Sequence, residues 1–161
     1  MTLYDYNTCV DQHADDVYRF ILKNMKDADK AKDIVQDTFE KLWVKAETVR
    51  VEKSRSYIFT TAYHTMIDYL RREKRDLDYS ATKEIETQAP HECIDLQDIL
   101  EEGLGKLPEI QRSVLLLRDY EGYSYREIGE ICRLTEPQVK VYIYRARLAL
   151  KKYIGSLETV I

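Results

Sequence analysis

The chain has 161 residues, which leaves room for one ordinary domain or two small ones. Charged residues make up 34%, glycine and proline are scarce at five and three, and the net charge is −4, the composition of a soluble, helix-rich globular protein. No apolar run is long enough to span a bilayer, the N-terminus MTLYDYNTCVDQ has neither the basic start nor the apolar core of a signal peptide, and three irregularly spaced cysteines do not form a disulfide framework. A cytoplasmic location is the default expectation.

In chain order, the pattern predicts a first amphipathic helix from His13 to Met25, with Val17, Phe20, Ile21 and Asn24 inward. Lys26 to Asp29 is a polar break. A second helix over Lys30–Glu47 places Ile34, Val35, Thr38, Phe39, Leu42 and Trp43 on one buried face, with Asp33, Gln36, Asp37, Glu40 and Lys41 away from it. Thr48–Ser54 loses the period and reads as a loop. A third helix, Arg55–Arg72, turns Ile58, Ala62, Met66 (or Thr65) and Tyr69 inward and ends in the basic run Arg71, Arg72, Lys74, Arg75.

The character changes at Leu77. Between Leu77 and Gly103 eight acids stand against Lys83 alone, and Pro90 interrupts the chain. Residues 77–93 are therefore expected to form a mobile acidic linker between a module at 1–76 and another at 94–161. Helical pattern resumes over Ile94–Leu104. A further helix, opened by Pro108, carries Val114 to Leu117 inward as far as Tyr120.

The last stretch, GYSYREIGEICRLTEPQVKVYIYRARLALKKY, reads as two helices and a tight turn. Ser124 with Glu127 three residues on is a capping-box start, and the helix should end near Cys132. Thr135 can cap the second helix, with Glu136 and Pro137 in its first turn. Val139, Ile143, Ala146 and Leu150 recur at helical spacing as a buried stripe. Pro137, Val141 and Tyr144, flanked by Gln138, Lys140 and Arg145, lie opposite. From Glu136 to Lys152 five basic residues face one acid, in a chain that is acidic overall. That is a helix-turn-helix pattern, whose second helix enters the DNA major groove. A plain αα-hairpin with solvated charges is the alternative.

Metal and enzyme chemistry find little support. Cys9 with His13 and His91 with Cys93 extend to no ligand set, and no P-C-x-x-C follows the second pair. There is no Gly-rich phosphate loop, so no cofactor and no catalytic residue is expected.

Four segments taken together, DKAKDIVQDTFEKLW (29–43), SYIFTTAYHTMIDYLRREKR (56–75), LPEIQRSVLLLRDYEGYSYREIGEI (107–131) and VKVYIYRARLAL (139–150), resemble successive signature segments of the extracytoplasmic-function (ECF) sigma factors of bacterial RNA polymerase. The resemblance implies an all-α chain of two small helical domains, regions 2 and 4, joined by a linker. It implies no enzymatic activity, and it implies core polymerase and promoter DNA as partners, with an anti-sigma factor as regulator. Asp33, Gln36, Asp37, Glu40 and Lys41 fall where such factors face core polymerase. Val49, Arg50, Val51, Glu52, Lys53 and Ser54, with His64, Arg71 and Arg72, fall where they meet the minus-ten element. Thr135, Glu136, Pro137, Gln138, Lys140, Val141, Tyr144 and Arg145 fall where they read the minus-thirty-five element.

The residue chemistry agrees: holding a base out of the stack calls for cations and flat side chains, which Tyr57, Phe59, Tyr63, Arg71 and Arg72 offer. Core packing is the alternative for Tyr57 and Phe59. The chain departs from the family in having Tyr63-His64 for a usual Arg-Asn, Thr60 for a basic residue, Gly129 for alanine and Gln138 for threonine. A stand-alone helix-turn-helix regulator would explain residues 107–153 but leave DIVQDTFEKLW without a role.

Overall fold

The computed structural model describes residues 1–79 and 95–158. Most of the expected linker, residues 80–93 with His91 and Cys93 among them, lies outside the described residues. Those described form helices and turns, with no strand among them.

Helix α1 runs over Leu3–Met25 and so begins well before His13. A reciprocal cap sets that start: Asp5 N–H donates to the Thr2 hydroxyl, and Thr2 N–H donates to the Asp5 carboxylate. The same bonds hold the Asp5 carboxyl below its ordinary value. The chain then turns at Lys26, which is left-handed at φ 55°. Asp27 accepts from Asp29 and Lys30 N–H and opens α2, Ala28–Val44. Ala31, Ile34, Thr38, Phe39 and Leu42 point inward from it.

Trp43 does not belong to that buried stripe. It is 52% exposed and meets Tyr6 edge-on at 5.0 Å. Ala31, Ile34, Thr38 and Leu42 recur at three or four residues and mark the centre of the buried face. One residue past Leu42 is a rotation of about 100°, which swings Trp43 off it.

After α2 the chain makes turns and a single 3-10 turn, Val51–Lys53, before α3, Ser54–Tyr79. This helix is longer at its C-terminal end than the spacing predicted, and it takes in the first residues assigned to the linker. Tyr69 and Leu70 still pack on the core, and Glu73 forms an ion pair with Lys30 at the start of α2. Val17, Phe20, Ile21, Ile34, Leu42, Ile58, Phe59 and Met66 fill the three-helix core.

Asp95 caps α4, Leu96–Lys106, accepting from Asp98 N–H at 2.8 Å. Helix α5, Glu109–Asp119, buries Ser113 to Leu117 without a break, because other helices cover both its sides. Helix α6, Tyr125–Cys132, and helix α7, Glu136–Glu158, complete the fold.

The turn between α6 and α7 explains a glycine. Arg133 is left-handed at φ 57°, and the N–H groups of Arg133 and Leu134 both donate to the Gly129 carbonyl. A Cβ on Gly129 would lie 2.7 Å from the Leu134 carbonyl oxygen, a backbone atom that cannot step aside. Replacing an interior helical glycine by alanine ordinarily gains about 0.5–1 kcal/mol. Here Gly129→Ala should instead destabilise by about 1–3 kcal/mol, the usual range for overpacking, measured as a lower urea midpoint.

The two halves pack together, α1 and α3 of the first against α5 and α6 of the second. Phe59 of α3 sits edge-on to Phe20 of α1 and to Tyr123 in the α5–α6 turn, each at 5.6 Å. Burying these rings against one another removes apolar surface from water and favours the packed arrangement.

Candidate nucleic-acid and polymerase interfaces

The start and rotation of helix α7 are both fixed by its own residues. Thr135 and Gln138 cap its start reciprocally: Gln138 N–H donates to the Thr135 hydroxyl, and Thr135 N–H donates to Gln138 Oε1 at 2.9 Å. Val139, Ile143 and Ala146 are buried and fix the rotation of the helix. Pro137, Gln138, Lys140, Val141, Tyr144 and Arg145 are therefore exposed along with Thr135 and Glu136, and Tyr144 is 67% so. Arg147 is tied to Asp119 at 2.6 Å, which anchors α7 to α5 and takes that cation out of the outer face. Arg118 lies over the Tyr125 ring and donates to the Tyr123 carbonyl, so it too is structural.

The expected minus-ten residues divide in two. Arg50, Val51, Glu52 and Lys53 are exposed on the loop. Val49 and Ser54 are buried, and Ser54 Oγ donates to the Val51 carbonyl at 2.7 Å. Those two hold the loop rather than reach from it. On α3, Arg71 and Arg72 are exposed, Tyr57 is half-buried, and Phe59 is fully buried. Tyr63 is buried against Cys132 at the end of α6, and that burial pushes its hydroxyl pKa up. His64 is half-buried, and burial together with the nearby Arg133 lowers its pKa. Tyr63 and His64, which replace the family's usual pair, thus face the other half of the molecule.

The residues expected to face polymerase lie together on the outer side of α2. Asp33, Gln36, Asp37, Glu40 and Lys41 are all exposed, and Lys41 Nζ donates to Thr65 Oγ1 of α3 at 2.8 Å. A shallow pocket of about 430 Å³ opens between α2 and α3, lined by Asp37, Glu40, Lys41, Val44, Lys45, Tyr57 and Thr61. Sequence reasoning missed the apolar rim beside it: Trp43, half-exposed, and Val44, 78% exposed. The signal was available, because a rotation of about 100° per residue carries both off the stripe that ends at Leu42.

Residues 9–76 match the family model of sigma-70 region 2, and residues 97–150 match that of sigma-70 region 4. Over 157 residues the chain is 30% identical to the ECF RNA polymerase sigma factor SigL of Mycobacterium tuberculosis strain Erdman, covering 91% of this chain and 87% of that protein. The chain belongs to the ECF sigma factors. RNA polymerase sigma factor SigV of Bacillus subtilis strain 168 is 34% identical to it over 142 residues, which is 86% of this chain and 84% of SigV. The sigma factor RpoE of Bartonella quintana, solved in complex with the anti-sigma factor NepR, superposes with a TM-score of 0.77 at 25% identity, covering 95% of this chain and 98% of that one.

An ECF sigma factor is a promoter-recognition subunit of RNA polymerase and not an enzyme. This one binds core polymerase, recognises the minus-thirty-five and minus-ten promoter elements and initiates transcription of a specific regulon. Its helix-turn-helix lies in region 4, and no described helix is long and apolar enough to cross a membrane.

Proposed function

We propose that the promoter-reading and polymerase-binding work of this sigma factor is divided among three surfaces. The outer face of α7 from Thr135 to Arg145 enters the major groove of the minus-thirty-five element. Lys140 and Arg145 contact phosphate, while Gln138, with Glu136 or Val141, meets base edges. The exposed loop Arg50–Lys53, with Arg71 and Arg72, takes the minus-ten element, and Val49 and Ser54 hold that loop in shape. The face Asp33, Gln36, Asp37, Glu40 and Lys41, extended by Trp43 and Val44, docks on core polymerase.

The observation that carries this reading is the two-sided register of α7. Val139, Ile143 and Ala146 are buried on one side and the polar and basic set is exposed on the other, with the start locked by the Thr135–Gln138 cap. In the same reading the two functional modules occupy 1–76 and 94–161, the protein works in the cytoplasm beside polymerase, and an anti-sigma factor regulates it. That last point leans on the NepR complex of the Bartonella relative.

Run-off transcription with core polymerase over a promoter library is the test. Gln138→Glu keeps an acceptor for Thr135 N–H but removes the amide donors. It should shift the preferred upstream element. Equal loss on every promoter would remove Gln138 from the base-reading set. Asp37→Arg should weaken core binding with an unchanged helical spectrum.

Trp43→Ala separates packing from docking. A half-exposed indole with one edge-on ring contact should contribute only about 1–2 kcal/mol to stability, so the module should stay folded. Core affinity should nevertheless fall. A variant that unfolds would return Trp43 to the core, and one with full core affinity would take it off the interface.

A further inference from the structure

The reciprocal cap at the start of α7 does more than begin a helix. Pro137 has no N–H, so the Thr135 hydroxyl takes the N–H of Gln138, at 3.3 Å. The Gln138 side chain folds back in turn, and its Oε1 accepts Thr135 N–H at 2.9 Å. A backbone N–H can be met only by the amide oxygen, so the two ends of this side-chain amide are not interchangeable. Oε1 is engaged on the chain itself. The hydrogens on Nε2 are the polar atoms that Gln138, exposed on the outer face of the helix, has left to offer.

That polarity decides which base edges it satisfies. An unconstrained glutamine amide pairs with adenine by donating to N7 and accepting from N6, which uses both of its ends. Gln138 has only its donor end to give. Cytosine meets it with another donor, N4, and thymine with a single acceptor, O4, beside a methyl group. Guanine presents two acceptors side by side, N7 and O6. Turning Oε1 toward a base would instead strip Thr135 N–H of its acceptor at the helix start, a cost that a donor-only contact avoids. We propose that the cap fixes Gln138 as a donor-only reader, so that its Nε2 selects a guanine in the minus-thirty-five element through N7 and O6. The proposal rests on Gln138 meeting a base edge, as in the division of surfaces above, and adds which base and which atoms.

Holoenzyme assembled with core polymerase and selected on a promoter library tests it. Gln138→Met keeps the length of the side chain and removes its polar atoms. The base pair whose preference this variant abolishes is the one Gln138 reads, and the wild type should prefer guanine on one strand there. Replacing that guanine by 7-deazaguanine, which lacks the N7 acceptor, should weaken wild-type binding about fivefold or more and leave Gln138→Met binding unchanged. Gln138→Glu keeps the cap, because a glutamate at this position also accepts from Thr135 N–H. Its second oxygen can only accept, so the preference on that strand should turn from guanine to cytosine or adenine. An A·T or T·A pair preferred by the wild type, or an equal loss by wild type and Gln138→Met on the 7-deazaguanine promoter, would overturn the donor-only assignment while leaving Gln138 a base reader. A library in which Gln138→Met changes the preference at no position would overturn the proposal together with the base-reading role of Gln138.

Discussion

Phe59→Ala should destabilise the free chain by about 3–5 kcal/mol, the usual result of removing a buried phenylalanine. That is a large fraction of the 5–15 kcal/mol that holds a typical domain together. Aromatic spacing in α3 made Phe59 a candidate to stack on an unpaired base. Its place between Phe20 and Tyr123, with no exposed surface, assigns it to packing. Because Tyr123 belongs to the second half, the loss should reach beyond the three-helix core: urea unfolding followed at Trp43 and by far-ultraviolet dichroism should shift together. A variant of unchanged stability that fails only in promoter melting would make Phe59 a base-stacking residue after all.

The second large effect concerns DNA. Lys140→Ala with Arg145→Ala should weaken holoenzyme binding to every promoter without changing the order of preference. Each phosphate contact contributes about 0.9 to the slope of log affinity against log salt, so losing two should flatten it by nearly two units. Between 50 and 200 mM salt that difference amounts to roughly tenfold in relative affinity. A changed preference with an unchanged slope would mean that these residues read bases instead. Arg147 is the internal contrast. Its bond to Asp119 holds α7 to α5, so Arg147→Ala should lower stability modestly and leave the salt slope nearly as it was.

The elements that sequence reading placed well are those where caps and apolar period agree. In α7, Thr135 marks the start and Val139, Ile143 and Ala146 mark one face, and the helix is found as expected. The misses have physical causes. The first half of α1 fully buries only Cys9, its apolar stripe of Tyr6, Cys9, Val10 and Ala14 is thin and small, and its start rests on a Thr2–Asp5 cap among polar residues. Trp43 is apolar and adjacent to the stripe, and residue type alone does not tell a core tryptophan from an exposed one. Val49 and Ser54 sit within a polar loop, yet the loop's return to α3 turns both inward. The seam between the halves was not legible at all. Asn24 and Ser113 are 89 positions apart, and neither has a local pattern that points to the other.

The site residues divide along the same line. The polar face of α2 and the outer face of α7 follow from helical period, because a buried stripe leaves its opposite side exposed. Tyr63 and His64 do not. The end of α6 and the turn after it, with Ile131, Cys132 and Arg133, lie against them.

Recognition of promoters as a subunit of polymerase, with two modules set on two separated elements, separates this chain from a stand-alone regulator. Footprinting of a promoter selected from a random library, with the sigma factor alone, core alone and both together, tests it most directly. No protection by the free chain is expected at physiological salt. With core added, protection should appear over both elements about 25 base pairs apart, roughly 85 Å of duplex, with unpaired thymines at the downstream one. Sequence-specific protection by the free chain, or the same footprint from core alone, would contradict it.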